Sequence, residues 1–110
     1  MNTPIRTKDI VLTDRIRTHI DTAKAQFMKY NLDITTINAT IAKEKKDVSI
    51  EFDIHIAHQS PVVIQQNDQS LEAAIDIAID RANKALRRLH DKIKSHRGKG
   101  LKNLELAEEA

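Results

Sequence analysis

Arg81, Lys84, Arg88 and Lys92 recur at steps of three and four residues within the stretch from Leu71 to Arg97. The same stretch carries Leu71, Ile75, Ala78, Ala82, Leu86, Leu89 and Ile93 at the same spacing. At about 100° per residue, the apolar set makes one side of an α-helix, and the basic set lies on its flank about a third of a turn away. One helix would then offer a buried seam and a cationic ridge. Cations at regular intervals along a rigid rod match phosphates repeating along a nucleic-acid backbone, where each neutralised phosphate releases condensed counterions. Arg87, Lys94 and Arg97 enlarge the positive field, against a single acid, Asp91, between positions 81 and 97, while acids gather on the third strand and at the C-terminus. Basic residues also suit the negative end of a helix dipole, which accounts for Lys92 and Lys94 but not for Arg81 and Lys84. With aromatic residues at 3%, little is available to stack on unpaired bases, and contact with folded RNA is favoured over reading of single strands.

Other chemistry finds weaker support. Gly98-Lys99-Gly100 is too small for a phosphate-cradling loop, and no Ser, His and acid triplet stands in a recognisable arrangement. Glu51 and Asp53 would share one face of a strand about 7 Å apart, which suits paired carboxylates, but solubilising charge on an exposed sheet explains them as well. His55 and His58 fall on opposite faces if the strand continues through both, so no metal site is expected there. His19 reads as a residue at the edge of a buried helix face. No catalytic residue, metal or cofactor is assigned.

These side chains need elements to hold them. A short strand is expected around Ile5 and Thr7. Thr13 then caps a helix running to Tyr30, with Asp14 in its first turn, Ile16, Ile20, Ala23, Phe27 and Tyr30 on its buried side, and Asn31 as its stop. From Ile34 the period becomes two, with Ile37, Ala39 and Ile41 inward in a strand that reaches about Lys43, and the charged run Lys43 to Asp47 reads as a hairpin connection. In the following strand Val48, Ile50, Phe52, Ile54 and Ile56 face one way and Ser49, Glu51, Asp53 and His55 the other. A slip of one residue would bury two carboxylates at several kcal/mol each, whereas each inward Ile or Phe gains about 1.5–3 kcal/mol, so the register is firmly set. Pro61 belongs at a strand's start, Val62 to Gln66 form the last strand, Asn67 to Ser70 form a polar turn, and Ser70 caps the basic helix. The order β-α-β-β-β-α implies an α+β fold, a two-layer sandwich in which two helices pack on one face of a four-stranded sheet. Residues 1–97 are expected to form the domain, and Gly98 and Gly100 to end the helix ahead of a tail at 98–110.

The 110 residues fit a single core, built from aliphatic side chains. A net charge of +2, with 18 basic against 16 acidic residues, says little about partners until the charges are located. Cys is absent, which excludes disulfides and thiolate chemistry, and with no apolar run of signal-peptide or membrane-spanning length the expected location is the cytoplasm.

The order of elements, the LTDRIR opening of the first helix, and above all SLEAAIDIAIDRANKALRRLHDKIKSH resemble the bacterial family of ribosome hibernation-promoting factors and ribosome-associated inhibitors, also described as sigma-54 modulation proteins. The resemblance spans about residues 3–96 and implies a short-form, non-enzymatic factor of stress or stationary phase, monomeric when free. Such a factor occupies the mRNA and tRNA path of the small ribosomal subunit, chiefly against rRNA phosphates, and so inhibits translation. Family members carry basic residues that match Arg81, Lys84, Arg88 and Lys92, and Arg87 and Lys94 extend the set. On the first helix, where members have mid-helix cations, this chain has Ala23 and Gln26, leaving Arg15, Lys24 and Lys29 to contribute. Glu72 stands where an aromatic residue is usual. The alternative implied is a regulator of sigma-54-dependent transcription, acting by protein contact through the acidic sheet face or the tail.

Overall fold

Alternation is cleanest in the two strands at the centre of the sheet, and they set the position of everything else. The computed structural model describes residues 5–99, with side chains of the last helix described as far as Lys94. In chain order the elements are β1 (Ile5–Lys8), α1 (Asp14–Phe27) with a 3-10 turn at Met28–Tyr30, β2 (Ile34–Glu44), β3 (Asp47–Ile56), β4 (Val62–Asp68) and α2 (Leu71–Lys99). The sheet order is β1-β2-β3-β4, with β1 parallel to β2 and the other neighbours antiparallel. The expected α+β sandwich is therefore a mixed sheet covered on one face by two helices.

Ile37, Ala39 and Ile41 of β2 and Val48, Ile50, Phe52, Ile54 and Ile56 of β3 are all buried. Ile34 is buried as well, although it lies three residues before Ile37. A register shift between Ile34 and Thr36 inserts one residue, and Thr35 fixes the irregularity by donating its hydroxyl to the His55 carbonyl at 3.2 Å. The connection between β2 and β3 is shorter than the charged run suggested. Glu44 pairs with Asp47 and only Lys45 and Lys46 turn, Lys45 taking φ of 54°. A polar run at a sheet's end can continue the ladder because its side chains stay in water while its backbone still pairs. The same reason corrects the end of β4. Asn67 and Asp68, expected in a turn, pair with Ser49 and Val48, and the Asp68 carboxylate then accepts the Ser70 amide at 3.1 Å.

The helices start where their caps lie. The Thr13 hydroxyl accepts the Ile16 amide at 3.2 Å, and the Ser70 hydroxyl accepts that of Ala73 at 3.3 Å. Asn31 ends the first helical segment in the left-handed region, with φ of 56°. The second helix runs through Gly98 to Lys99, beyond the expected limit at Arg97. Glycine costs about 1 kcal/mol in a helix but keeps its N–H, so it weakens a ladder without cutting it. The tail from residue 100 lies outside the described residues.

Both helices press on the inward face of the sheet. Ile16, Ile20, Ala23 and Phe27 of α1 and Ala74, Ile75, Ala78, Ala82 and Leu86 of α2 join the strand residues in a single apolar cluster. The run of buried alanines on α2 lets its backbone lie close to the strands. Phe27 and Phe52, both fully buried, meet edge to face with centroids 5.4 Å apart and planes at 88°.

Candidate nucleic-acid interface

The buried stripe of α2 divides its polar surface into two flanks with different roles. On one flank Glu72, Asp76 and Asn83 meet α1. Arg15 Nη2 pairs with Glu72 Oε2 at 2.8 Å, His19 Nε2 is 2.8 Å from Asp76 Oδ1, and the Tyr30 hydroxyl donates to Asn83 Oδ1 at 3.0 Å. The three links rise together along both helices, so α1 and α2 run parallel. Arg15, Thr18, His19, Thr22, Glu72 and Asp76 line a shallow cleft of about 370 Å³ between them. Arg15 is paired with Glu72 there and His19 is bonded to Asp76, so the cleft offers no unpaired cation among its lining residues.

On the other flank lie Arg81, Lys84, Arg88 and Lys92, all exposed. At about 100° per residue they share one side of α2, well separated from the α1 contacts. Arg81 locates this flank over the edge of the sheet, since its Nη1 donates to the Gln65 carbonyl at 2.7 Å and to Gln66 Oε1 at 3.0 Å. Lys84 pairs with Asp80 at 3.1 Å, one turn away, an exposed interaction worth about 0.3–0.5 kcal/mol and readily exchanged for a phosphate. Arg88 and Lys92 make no hydrogen bond or ion pair with the described residues. Arg87 and Lys94 are exposed too, about 90° or more around the helix from Arg88 and Lys92, and widen the positive surface without joining the row.

The cations expected from the first helix do not assemble with these. Arg15 is 80% exposed at its side chain but points to Glu72, the residue standing where an aromatic was usual. Lys29 lies with its ammonium 5.4 Å from the centroid of the Tyr30 ring. Lys24 lies on the buried side of α1. Only 7% of it is exposed, because Ile16, Ile20, Ala23, Lys24 and Phe27 occupy a helical stripe of steps three, four and one. Reading Ile20 plus four would have placed Lys24 on the buried side. Desolvation lowers its pKa from the ordinary 10.5, and the nearby Asp21 carboxylate opposes the shift. A folded-state pKa below the unfolded one means that the unfolded chain binds more protons, so wild-type stability rises with pH toward 10.5. The Lys24→Met variant is expected to be equal or more stable at pH 7, by up to about 1 kcal/mol, and to lose that advantage near pH 10. Urea midpoints measured at the two pH values check both signs.

The open face of the sheet carries the acids. Rows across the strands read Asn38, Asp53, Val63 and Thr40, Glu51, Gln65. Asp53 Oδ2 lies 3.2 Å from His55 Nε2, while its buried Oδ1 has no hydrogen-bond partner. Glu51 and Asp53 thus share a face as expected, on an open sheet and not in the interhelical cleft. His58 lies beyond the end of β3, in a turn with φ of 65°, and among the described residues no group of three His, Asp or Glu could hold a metal. Nor is any described helix long and apolar enough to cross a membrane.

The family model described as sigma 54 modulation protein / S30EA ribosomal protein matches residues 4–94. The chain belongs to that family. Both halves of the description are non-enzymatic, and the match takes in every strand, both polar flanks of α2 and the whole basic row. The N-terminal domain of Protein Y from Thermus thermophilus is similar in fold, with a TM-score of 0.70 at 24% identity over 81% of this chain and 99% of that one. A ribosomal subunit interface protein from Coxiella burnetii is similar at a TM-score of 0.57 and 11% identity, over 83% and 97%. A search of curated proteins found no match.

The links between the helices were not foreseen. Their signal is present, since Glu72, Asp76 and Asn83 fall within about 40° of one another on α2, but a single chain does not say which flank meets a neighbour.

Proposed function

We propose that this protein is a cytoplasmic ribosome-binding factor that inhibits translation under stress or in stationary phase by occupying the mRNA and tRNA path of the small subunit. The row of Lys84, Arg88 and Lys92 lies against rRNA phosphates. The observation that carries the reading is the asymmetry of α2. Where α2 meets α1, Glu72, Asp76 and Asn83 are each partnered by an α1-side residue, whereas the flank over the sheet edge presents a row of cations that are unpaired or weakly paired, within a family described as ribosomal. A ribosome partner is further supported by the structural relative that is itself a ribosomal subunit interface protein. The mechanism is steric, because a folded domain bound to rRNA excludes any other occupant of the same channel.

Cosedimentation with purified subunits across a salt series tests this. The protein is expected to travel with the small subunit, and its log affinity to fall linearly with log salt by about 0.7–0.9 per phosphate contact. The family description also names sigma-54 modulation, and for that role the acidic sheet face would meet protein. Absence of ribosome binding at low salt, together with capture of a protein partner that Glu51 and Asp53 substitutions abolish, would decide for that reading.

A further inference from the structure

The edge of β4 carries a device that the ribosome-binding role leaves unexplained. Among the described residues no strand lies beyond β4, so its outer backbone groups are a template for any extended chain. Carbonyls two residues apart on a strand face the same edge, and two such carbonyls, those of Gln65 and Asn67, are both taken by side chains. Arg81 Nη1 donates to the Gln65 carbonyl at 2.7 Å and to Gln66 Oε1 at 3.0 Å, and Gln66 Nε2 donates to the Asn67 carbonyl at 3.3 Å. Arg81 thereby fixes which way the Gln66 amide points, and the two side chains together cover two successive edge acceptors, Arg81 the Gln65 carbonyl and Gln66 that of Asn67. Exposed apolar groups stand nearby in the fold. Val63, 53% exposed, lies on β4 itself, and Ile77, 40% exposed, precedes Arg81 by one turn of α2. An uncovered edge with apolar side chains beside it is what a second copy of the same strand would pair with.

We propose that Arg81 and Gln66 form a clip that closes the β4 edge against pairing with a second copy of this chain. Arg81 is then a positioning residue, set apart from Lys84, Arg88 and Lys92 although it shares their spacing. An Arg suits the task because the two N–H groups of Nη1 are fixed in the guanidinium plane and reach both acceptors at once, which a Lys ammonium on a flexible stem does less well. Gln66 suits it because an amide accepts from the guanidinium on one side and donates to the backbone on the other.

The test is sedimentation velocity of the full chain over a concentration series, for wild type and the Arg81→Ala, Arg81→Lys and Gln66→Ala variants. No RNA is present, so the result is independent of the ribosome reading. Gln66→Ala leaves every charge in place and is expected to raise the dimer fraction above that of wild type at equal concentration. Arg81→Ala is expected to raise it further. In both variants hydrogen exchange at the Gln65 and Asn67 amides should slow as concentration increases, because the edge becomes paired. Gln66→Ala should keep the wild-type salt slope for small-subunit binding when assayed at monomer concentrations. If Gln66→Ala and Arg81→Lys stay at the wild-type dimer fraction and only Arg81→Ala associates, charge repulsion keeps chains apart and the clip is refuted. Association with no protection at Gln65 and Asn67 would also overturn it, since contact would then lie elsewhere.

Discussion

Replacing Lys84, Arg88 and Lys92 together by Ala is expected to weaken binding to the small ribosomal subunit by about 10²–10³-fold at moderate salt, taking about 1–1.5 kcal/mol per charge-assisted phosphate contact. The same variant should lose roughly two to three units of slope in a plot of log affinity against log salt. Fold should be retained, because all three side chains are exposed and only the exposed Lys84 to Asp80 pair is lost, at a cost of a few tenths of a kcal/mol. The slope is the more informative readout. A variant that merely unfolds in part would lose affinity at every salt concentration with its slope intact, whereas removal of phosphate contacts flattens the line. Replacing Arg87 and Lys94 instead should cost less, since they lie outside the row. Equal losses from the two variants would mean that the bound surface wraps around the outer side of α2, and the edge-facing flank would no longer be its centre.

The row itself was legible in the sequence because both of its determinants are local. Helical spacing decides which side chains share a face, and the apolar residues of the same helix decide which face is buried. Fold class was legible for a similar reason. The alternation of β3 tolerates no slip, and Thr13 and Ser70 mark their helices through bonds made within three residues. What could not be read depends on partners distant in the chain. Nothing in Ile5–Lys8 announces that β1 lies parallel to β2, because a four-residue strand with a single half-buried Ile pairs equally well in either direction until the crossover through α1 imposes one. Arg15 and Arg81 look alike as exposed arginines, yet one is spent on Glu72 and the other on β4. The count of cations therefore overstated the free positive surface, while their periodicity did not. The burial of Lys24 was legible too, since its position in the stripe of α1 is a stronger signal of its place than its charge.

Phe52→Ala is expected to be the most damaging single substitution for stability. Phe52 is fully buried at the centre of β3, opposite Ala39 on one side and Ile64 on the other, and its ring meets that of Phe27 in a T-shaped contact. The small Ala39 leaves room for the ring within the strand layer, so truncation opens a cavity that neighbours held in strand register cannot fill. Loss of a buried Phe costs about 3–5 kcal/mol, against a total of roughly 5–15 kcal/mol for a domain of this kind. At about 4–8 °C per kcal/mol, Tm should fall by roughly 12–40 °C. Phe52→Leu keeps most of the volume but loses the aromatic edge contact, and should cost about 1–2 kcal/mol. Denaturant midpoints with unchanged m-values would show that both variants start from the same fold. The link to function is then direct. At a temperature where Phe52→Ala is still folded, its salt slope for ribosome binding should equal that of wild type, because the basic row lies on the exposed, edge-facing flank of α2 and the cavity is inside the core. A changed slope in the folded variant would mean that core packing sets the spacing of the cations, and that the row is not held by the helix alone.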